Sequence, residues 1–328
     1  MDYLSIIKNP IEAELADFIS LFNQSLSHED GLLGSALEHI RKRAGKRMRP
    51  MLILLMAKNF GTINEATQNA AVGLELLHTA SLVHDDVVDE SEERRGQASV
   101  NATYDNKVAV LVGDYILSTA LLCVARTHSE QIVTYLAELG RTLSDGEILQ
   151  LSNIGRKDIS EDVYYDVIKQ KTAALFEACA GIGALSSGAT EEDTAFGVFY
   201  TTHLFGIIYE LRYLIGTHRV LLHLQCETAH VLVSTVIYSI YDWQRQLALN
   251  HIVARRLANL RRVVIVKYVV AYLEDDAKVL AEAGSEYAER RMWEFHDEAC
   301  HFIDTYIHQD DIRQALRAYL DYVIKRNK

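Results

Sequence analysis

Two prolines, Pro10 and Pro50, are all that interrupt a chain of 328 residues. Proline lacks a backbone N–H and clashes with the preceding helical turn, so long tracts without it favour helices over turn-rich sheets. Apolar residues recur at helical spacing over 3–25, 31–43, 64–92, 107–126, 129–153, 161–187 and 192–216, and again over 251–282, 285–307 and 310–326. Residues 228–241 are rich in β-branched types, yet helical neighbours and the lack of a hairpin signal make helix the better reading. With 49% hydrophobic residues and no Ser/Gly-rich linker, the chain is expected to form one all-α domain over 1–328.

A net charge of −12 argues against nucleic acid as the main partner. Cys123, Cys179, Cys226 and Cys300 are widely spaced, without the C-x-x-C of zinc sites, which suggests reduced thiols in a cytoplasmic protein. The opening Met-Asp-Tyr-Leu, with Glu12 and Glu14 close behind, does not read as a signal peptide. The apolar stretch from Val108 to Ala125 contains Gly113-Asp114 and reads as a buried helix rather than a membrane span. Arg255, Arg256, Arg261, Arg262 and Lys267 are interleaved with apolar residues and read as a solvated helix face, allowing at most peripheral membrane contact.

The chemistry concentrates at Asp85-Asp86-Val87-Val88-Asp89, followed by Arg94-Arg95-Gly96. On a helix, Asp85 and Asp89 share a face, and two like charges there cost a few tenths of a kcal/mol. A divalent cation reverses the sign of that cost. Mg²⁺ suits the pattern, because it keeps its waters and takes one or two carboxylates together with substrate phosphates. A solvated acidic helix end is the plainer alternative, and the flanking His78, His84, Arg94 and Arg95 weigh against it.

Gly45-Lys46-Arg47-Met48-Arg49-Pro50 forms a basic turn before an apolar helix, with Pro50 suited to the first helical position. Lys46, Arg47, Arg49 and the helix N-terminus could grip a diphosphate; a solvated basic loop is the alternative. Lys171-Thr172 lies between apolar helical positions, where a lysine either snorkels to water or meets a phosphate. Gln150 reads by itself as a helix-surface amide, and Asp114 as a satisfied structural carboxylate.

Taken in order, Gly-Lys-Arg-x-Arg-Pro, His-Thr-Ala-Ser-Leu-Val-His-Asp-Asp-x-x-Asp, Arg-Arg-Gly, Gly-Asp-Tyr and Lys-Thr resemble a trans-type polyprenyl diphosphate synthase, mainly over 1–195 and weakly over 285–328. The resemblance implies the isoprenoid-synthase fold, a single helical bundle around a deep central cavity, usually a homodimer. It implies a prenyltransferase that condenses isopentenyl diphosphate with an allylic diphosphate. By position, Asp85 and Asp89 would bind Mg²⁺ with Asp86 in support. Arg94 and Lys171 would hold the allylic diphosphate, and Lys46, Arg49, His78 and Arg95 the isopentenyl diphosphate. Thr172 and Gln150 would line the reacting region. Leu77, Ala80 and Ser81 lie four to eight residues before Asp85, where bulky aromatics stop chain growth in this family. Small residues at the last two positions imply a medium- or long-chain product.

The family carries a second Asp-rich helix about forty residues beyond the Lys-Thr. Here that place reads Tyr209-Glu210-Leu211-Arg212-Tyr213, and from His203 to Asn250 the only carboxylates are Glu210, Glu227 and Asp242. Glu274-Asp275-Asp276 comes too late and points around the helix rather than to one face. An active synthase therefore competes with a non-catalytic or redesigned helical relative serving as a scaffold or partner subunit.

Overall fold

In a computed structural model, residues 2–29, 31–42, 45–94, 96–153, 161–190, 289–307 and 309–325 are described. The expected helices over 192–216, 228–241 and 251–282 lie outside them, as do Cys226, Glu210, Glu227, Asp242, the Glu274–Asp276 cluster and the basic run 255–267.

The first expected helix is two. Pro10 breaks 3–25 into α1 (Tyr3–Lys8) and α2 (Glu12–Ser25), joined by a 3₁₀ turn over Asn9–Ile11. After α3 (Leu32–Arg41), α4 (Met48–Phe60) starts two residues before Pro50, not at it. Proline is still tolerated there, because the N–H groups of a first turn have no partner within the helix. Every side chain from Met51 to Ala57 is buried, which makes α4 a central rod. Each such Leu, Ile or Met contributes about 1.5–3 kcal/mol by leaving water.

α5 (Glu65–Val88) begins with a reciprocal cap. The Thr67 N–H donates to Asn64 Oδ1 at 3.0 Å, and the Asn64 N–H donates to Thr67 Oγ1 at 3.3 Å. The helix ends at Val88, capped by Asp89, four residues earlier than the 92 that the periodicity suggested. A small antiparallel hairpin follows, β1 (Glu93–Arg94) and β2 (Gln97–Ala98), with Gly96 at φ 76°. Nothing in the apolar pattern announces strands of two residues.

α6 (Val100–Tyr104) and α7 (Asn106–Ala125) lead back along α5. At one end of the α5–α7 pair, Gly73 lies against Ala120 and Val124; at the other, Gly113 lies under the His84 imidazole. The two helices are thus antiparallel and in close approach. α8 (Glu130–Asn153) is followed by α9 (Glu161–Ile168), a π-helical turn over Lys169–Ala173, and α10 (Ala174–Ser186). From Leu175 to Ala184 all of α10 is buried except the half-buried Glu177. A helix over 289–306 (α11) and α12 (Asp310–Lys325) complete the described chain, α12 packing on α1 and α4.

The expectation that Val108–Ala125 is a buried helix needs correction. α7 is long and apolar enough to cross a membrane, and only 39% of its most apolar window is buried. Leu111 is 67% exposed and Leu122 60%, with Val110 and Leu121 also on the surface. Asp114 is exposed and stands 3.4 Å from His84 Nε2. Cys123, Cys179 and Cys300 are free thiols, and burial pushes each above its ordinary pKa.

Candidate active site

Three aspartates collect in the last turn of α5, and no basic residue shares that turn. The carbonyl end of a helix already carries partial negative charge, so acids there are disfavoured. The fold resolves one of the three. Asp86 is turned inward, 1% exposed, and accepts a hydrogen bond from Arg94 Nε at 2.6 Å. The loop that brings Arg94 back is tied down at both sides. Asn101 Nδ2 donates to the Asp86 and Ser91 carbonyls at 3.2 and 3.1 Å, and Ser99 Oγ donates to Ser91 at 2.7 Å. Asp86 therefore supports the site by anchoring the hairpin, and Arg94 is engaged with it through Nε.

Asp85 is half-buried. Its carboxyl is pushed up to about 6, first by burial, then by the negative charges of Glu147 and Asp89, against the pull of Lys171 and Arg94. Asp89 caps the helix and is exposed, its N–H bonded to the Asp85 carbonyl at 2.8 Å. A half-buried carboxylate whose charge is disfavoured by burial and by neighbouring acids is a place for a cation.

Lys171 faces this acid from the π-helical turn. Its Nζ lies 2.6 Å from Glu147 Oε2 and donates to Gln150 Oε1 at 3.1 Å. One extra residue per turn is a known device for re-aiming side chains at functional sites. Here the turn is packed against α8 at Gly146, where a Cβ would come within 2.8 Å of Gln170 Cβ and 3.0 Å of the Lys171 nitrogen. Glycine thus lets α8 approach closely enough for Glu147 and Gln150 to meet Lys171. Gln150 is not the plain surface amide its sequence suggests. Thr172 follows in the same turn, half-buried.

On α5, His78 lies two helical turns before Asp85 on the same face, half-buried. Leu77 and Ala80 are buried; the Ser81 hydroxyl turns back to donate to the His78 carbonyl at 2.9 Å. The basic turn before α4 is organised by aromatic rings. Lys46 Nζ lies 5.1 Å from the Tyr322 ring centroid, Arg47 Cζ 4.2 Å from Phe22, and Arg49 Cζ 5.6 Å from Phe176. Arg47, at a left-handed φ of 55°, also reaches Glu75 at 3.6 Å. The Arg49 Nε is buried without a hydrogen-bond partner among the described residues, a donor with no acceptor. Lys46 opens onto a cleft of about 440 Å³ whose lining includes Lys8, Arg41, Lys42 and Arg47 and, among the described residues, no acid. Arg95 lies outside the described residues.

The geometry thus brings together Asp85, Lys171 and Gln150, and adds Glu147, which sequence reasoning missed. Glu147 lies three residues before Gln150 on one face of α8, a spacing too common on helix surfaces to be a signal by itself. Among the described residues, no three His, Cys, Asp or Glu side chains form a metal site by themselves. Asp85 and Asp89 fit a hard cation that arrives with phosphate and keeps waters, not one held by protein ligands alone.

The family model described as polyprenyl synthetase matches residues 30–212. The octaprenyl diphosphate synthase of Escherichia coli is 39% identical over 170 residues, 52% of this chain and 53% of that protein. An all-trans-nonaprenyl-diphosphate synthase of Rhodobacter capsulatus is 36% identical over 192 residues, 58% of this chain and 59% of that protein. The chain thus spans about half the length of these relatives. Among solved structures, a geranylgeranyl pyrophosphate synthase from Bacteroides thetaiotaomicron superposes with a TM-score of 0.71 at 36% identity, covering 99% of this chain and 100% of that one. A polyprenyl synthase from Caulobacter crescentus, complexed with calcium and isoprenyl diphosphate, gives 0.77 at 23% identity, covering 98% of each chain. The expected all-α isoprenoid-synthase fold holds.

Proposed function

Because the chain belongs to the polyprenyl synthetase family, we propose that it is a Mg²⁺-dependent prenyltransferase joining isopentenyl diphosphate to an allylic diphosphate. The observation that carries this reading is Asp85, half-buried and crowded by acids, facing a lysine already aimed by Glu147 and Gln150. Asp85 and Asp89 would hold the metal, which, when bound, neutralises the diphosphate as it departs. Lys171 donates to that diphosphate, and Asp86 keeps the Arg94 hairpin in place. On the other side, Arg49 Nε supplies an unspent donor, and Lys46, with His78, would complete a seat for isopentenyl diphosphate. The allylic C–O bond breaks with its electrons going to the diphosphate. The alkene of the second substrate then attacks, and a proton is lost as the new double bond forms. No protein nucleophile is needed; fixed charges meet the charge that develops.

Small side chains at Ala80 and Ser81 support a medium- or long-chain product, as the names of the octaprenyl and nonaprenyl relatives do. Ala80→Phe is expected to shorten the product, read by chromatographic sizing. The exposed apolar face of α7 supports a homodimer, since an apolar patch of this kind marks a partner surface. Free thiols support a cytoplasmic location.

A second reading is a diphosphate-binding partner subunit without turnover. It is favoured by the sparse carboxylates of 203–250 and by a 37% identical relative named heptaprenyl diphosphate synthase component 2, from Geobacillus stearothermophilus. The deciding experiment is incorporation of labelled isopentenyl diphosphate into lipid with and without Mg²⁺. Metal-dependent product that vanishes in Asp85→Ala/Asp89→Ala supports the synthase. Metal-dependent binding with no product supports the partner subunit.

A further inference from the structure

We infer that Glu147 is a positioning residue that parks the Lys171 ammonium on α8, keeping it off Asp85 so that this carboxylate stays open to a cation. The inference rests on the diphosphate-binding reading above. Lys171 has two acids within its electrostatic reach, Glu147 and Asp85. It is in contact with Glu147 at 2.6 Å, and Gln150 fixes the same ammonium from one turn along α8 at 3.1 Å. Both contacts come from α8, whereas Asp85 belongs to α5, so the ammonium is held by a helix other than that of the acid it would otherwise neutralise. Nor is the arrangement a loose surface pair. Glu147 is mostly buried, and the missing side chain at Gly146 sets its helix directly against the Lys171 backbone.

The consequence is a division of labour. With Glu147 charged, Lys171 remains beside Asp85 without pairing to it, and an incoming metal–diphosphate finds a free carboxylate and a nearby donor. With Glu147 neutral, Asp85 becomes the stronger partner for the ammonium. Metal–diphosphate binding must then first break a Lys171–Asp85 pair. The effect runs through Lys171, so it disappears when Lys171 is uncharged.

The test is a double-mutant cycle on the full-length protein, titrating Mg²⁺ with inorganic diphosphate calorimetrically into wild type, Glu147→Gln, Lys171→Gln and the double variant. Glu147→Gln is expected to weaken binding by about fivefold and Lys171→Gln by about tenfold, with the double variant no weaker than Lys171→Gln alone. Melting temperatures are measured alongside. A pair that only staples α8 to the π-turn would lower the melting temperature and leave affinity untouched, which overturns the inference. Unchanged or tighter binding by Glu147→Gln, or losses that simply add, overturn it as well. In each of these cases wild-type binding remains intact and the functional reading stands. Failure of wild type itself to bind Mg²⁺–diphosphate sinks that reading and this inference together.

Discussion

At the end of α5, three aspartates gather where the helix dipole is already negative, and among the described residues only Asp86 has a cation held against it. At the turn before α4 the opposite holds: Lys46, Arg47 and Arg49 each lie over an aromatic ring, and Arg47 reaches a carboxylate besides. The basic region is comfortable as it stands, because ring faces and hydrocarbon stems stabilise its charges. The acidic region is not, and Asp85 records this in a carboxyl pushed up to about 6. On the proposed function, one half of the site is preformed and the other half is left at higher energy until a ligand arrives. Functional sites commonly trade stability in this way.

The contrast can be broken most forcibly at the acidic end. Asp85→Ala/Asp89→Ala is expected to weaken metal-dependent diphosphate binding by about 100-fold or more, since outer-shell changes alone typically cost 10–100-fold. Loss of less than about threefold in a calorimetric titration would mean that the acids do not hold the cation. The next largest effect is structural. Gly146→Ala forces a Cβ against Gln170 and the Lys171 backbone, and should destabilise the fold by about 1–3 kcal/mol in denaturant titrations.

On the basic side, Arg49→Ala should raise the KM for isopentenyl diphosphate about tenfold, as expected for losing a charge-assisted contact. It should also lower stability slightly, because the Phe176 contact goes with it. Lys46→Ala, at an exposed position, should do less on both counts. The smallest and most telling effect is Asp85→Asn. A folded pKa raised above the unfolded value means that the native state binds the extra proton between about pH 4 and 6. Stability at this residue is therefore present below that window, is lost as pH rises through it, and stays low above it. The variant should gain about 1–2 kcal/mol at neutral pH, after allowance for solvent screening, while losing ligand. A variant less stable than wild type at neutral pH would erase the contrast between the two regions.

Much of this was legible in the chain, for reasons that differ by element. The buried rods α4 and α10, and the long α5, follow from apolar periodicity and few prolines, whereas the break at Pro10 was missed because the apolar spacing runs on through it. The hairpin at Glu93–Ala98 was invisible, because strands of two residues leave no period to read. α7 misled for another reason. Its composition says apolar but cannot say what covers it, and here much of it faces outward. In the site, the aspartates and Lys171 could be named because like charges one turn apart, and a lysine among apolar residues, conflict with simple packing. Glu147 could not, because a glutamate on a helix surface conflicts with nothing; only its 2.6 Å contact with Lys171 gives it meaning.

The most direct test of the central claim is calorimetric titration of an allylic diphosphate into the wild-type protein with and without Mg²⁺. The account predicts binding that strengthens at least about tenfold with the metal, by neutralising the carboxylates at the end of α5. Equal affinity in the presence and absence of Mg²⁺ would contradict it.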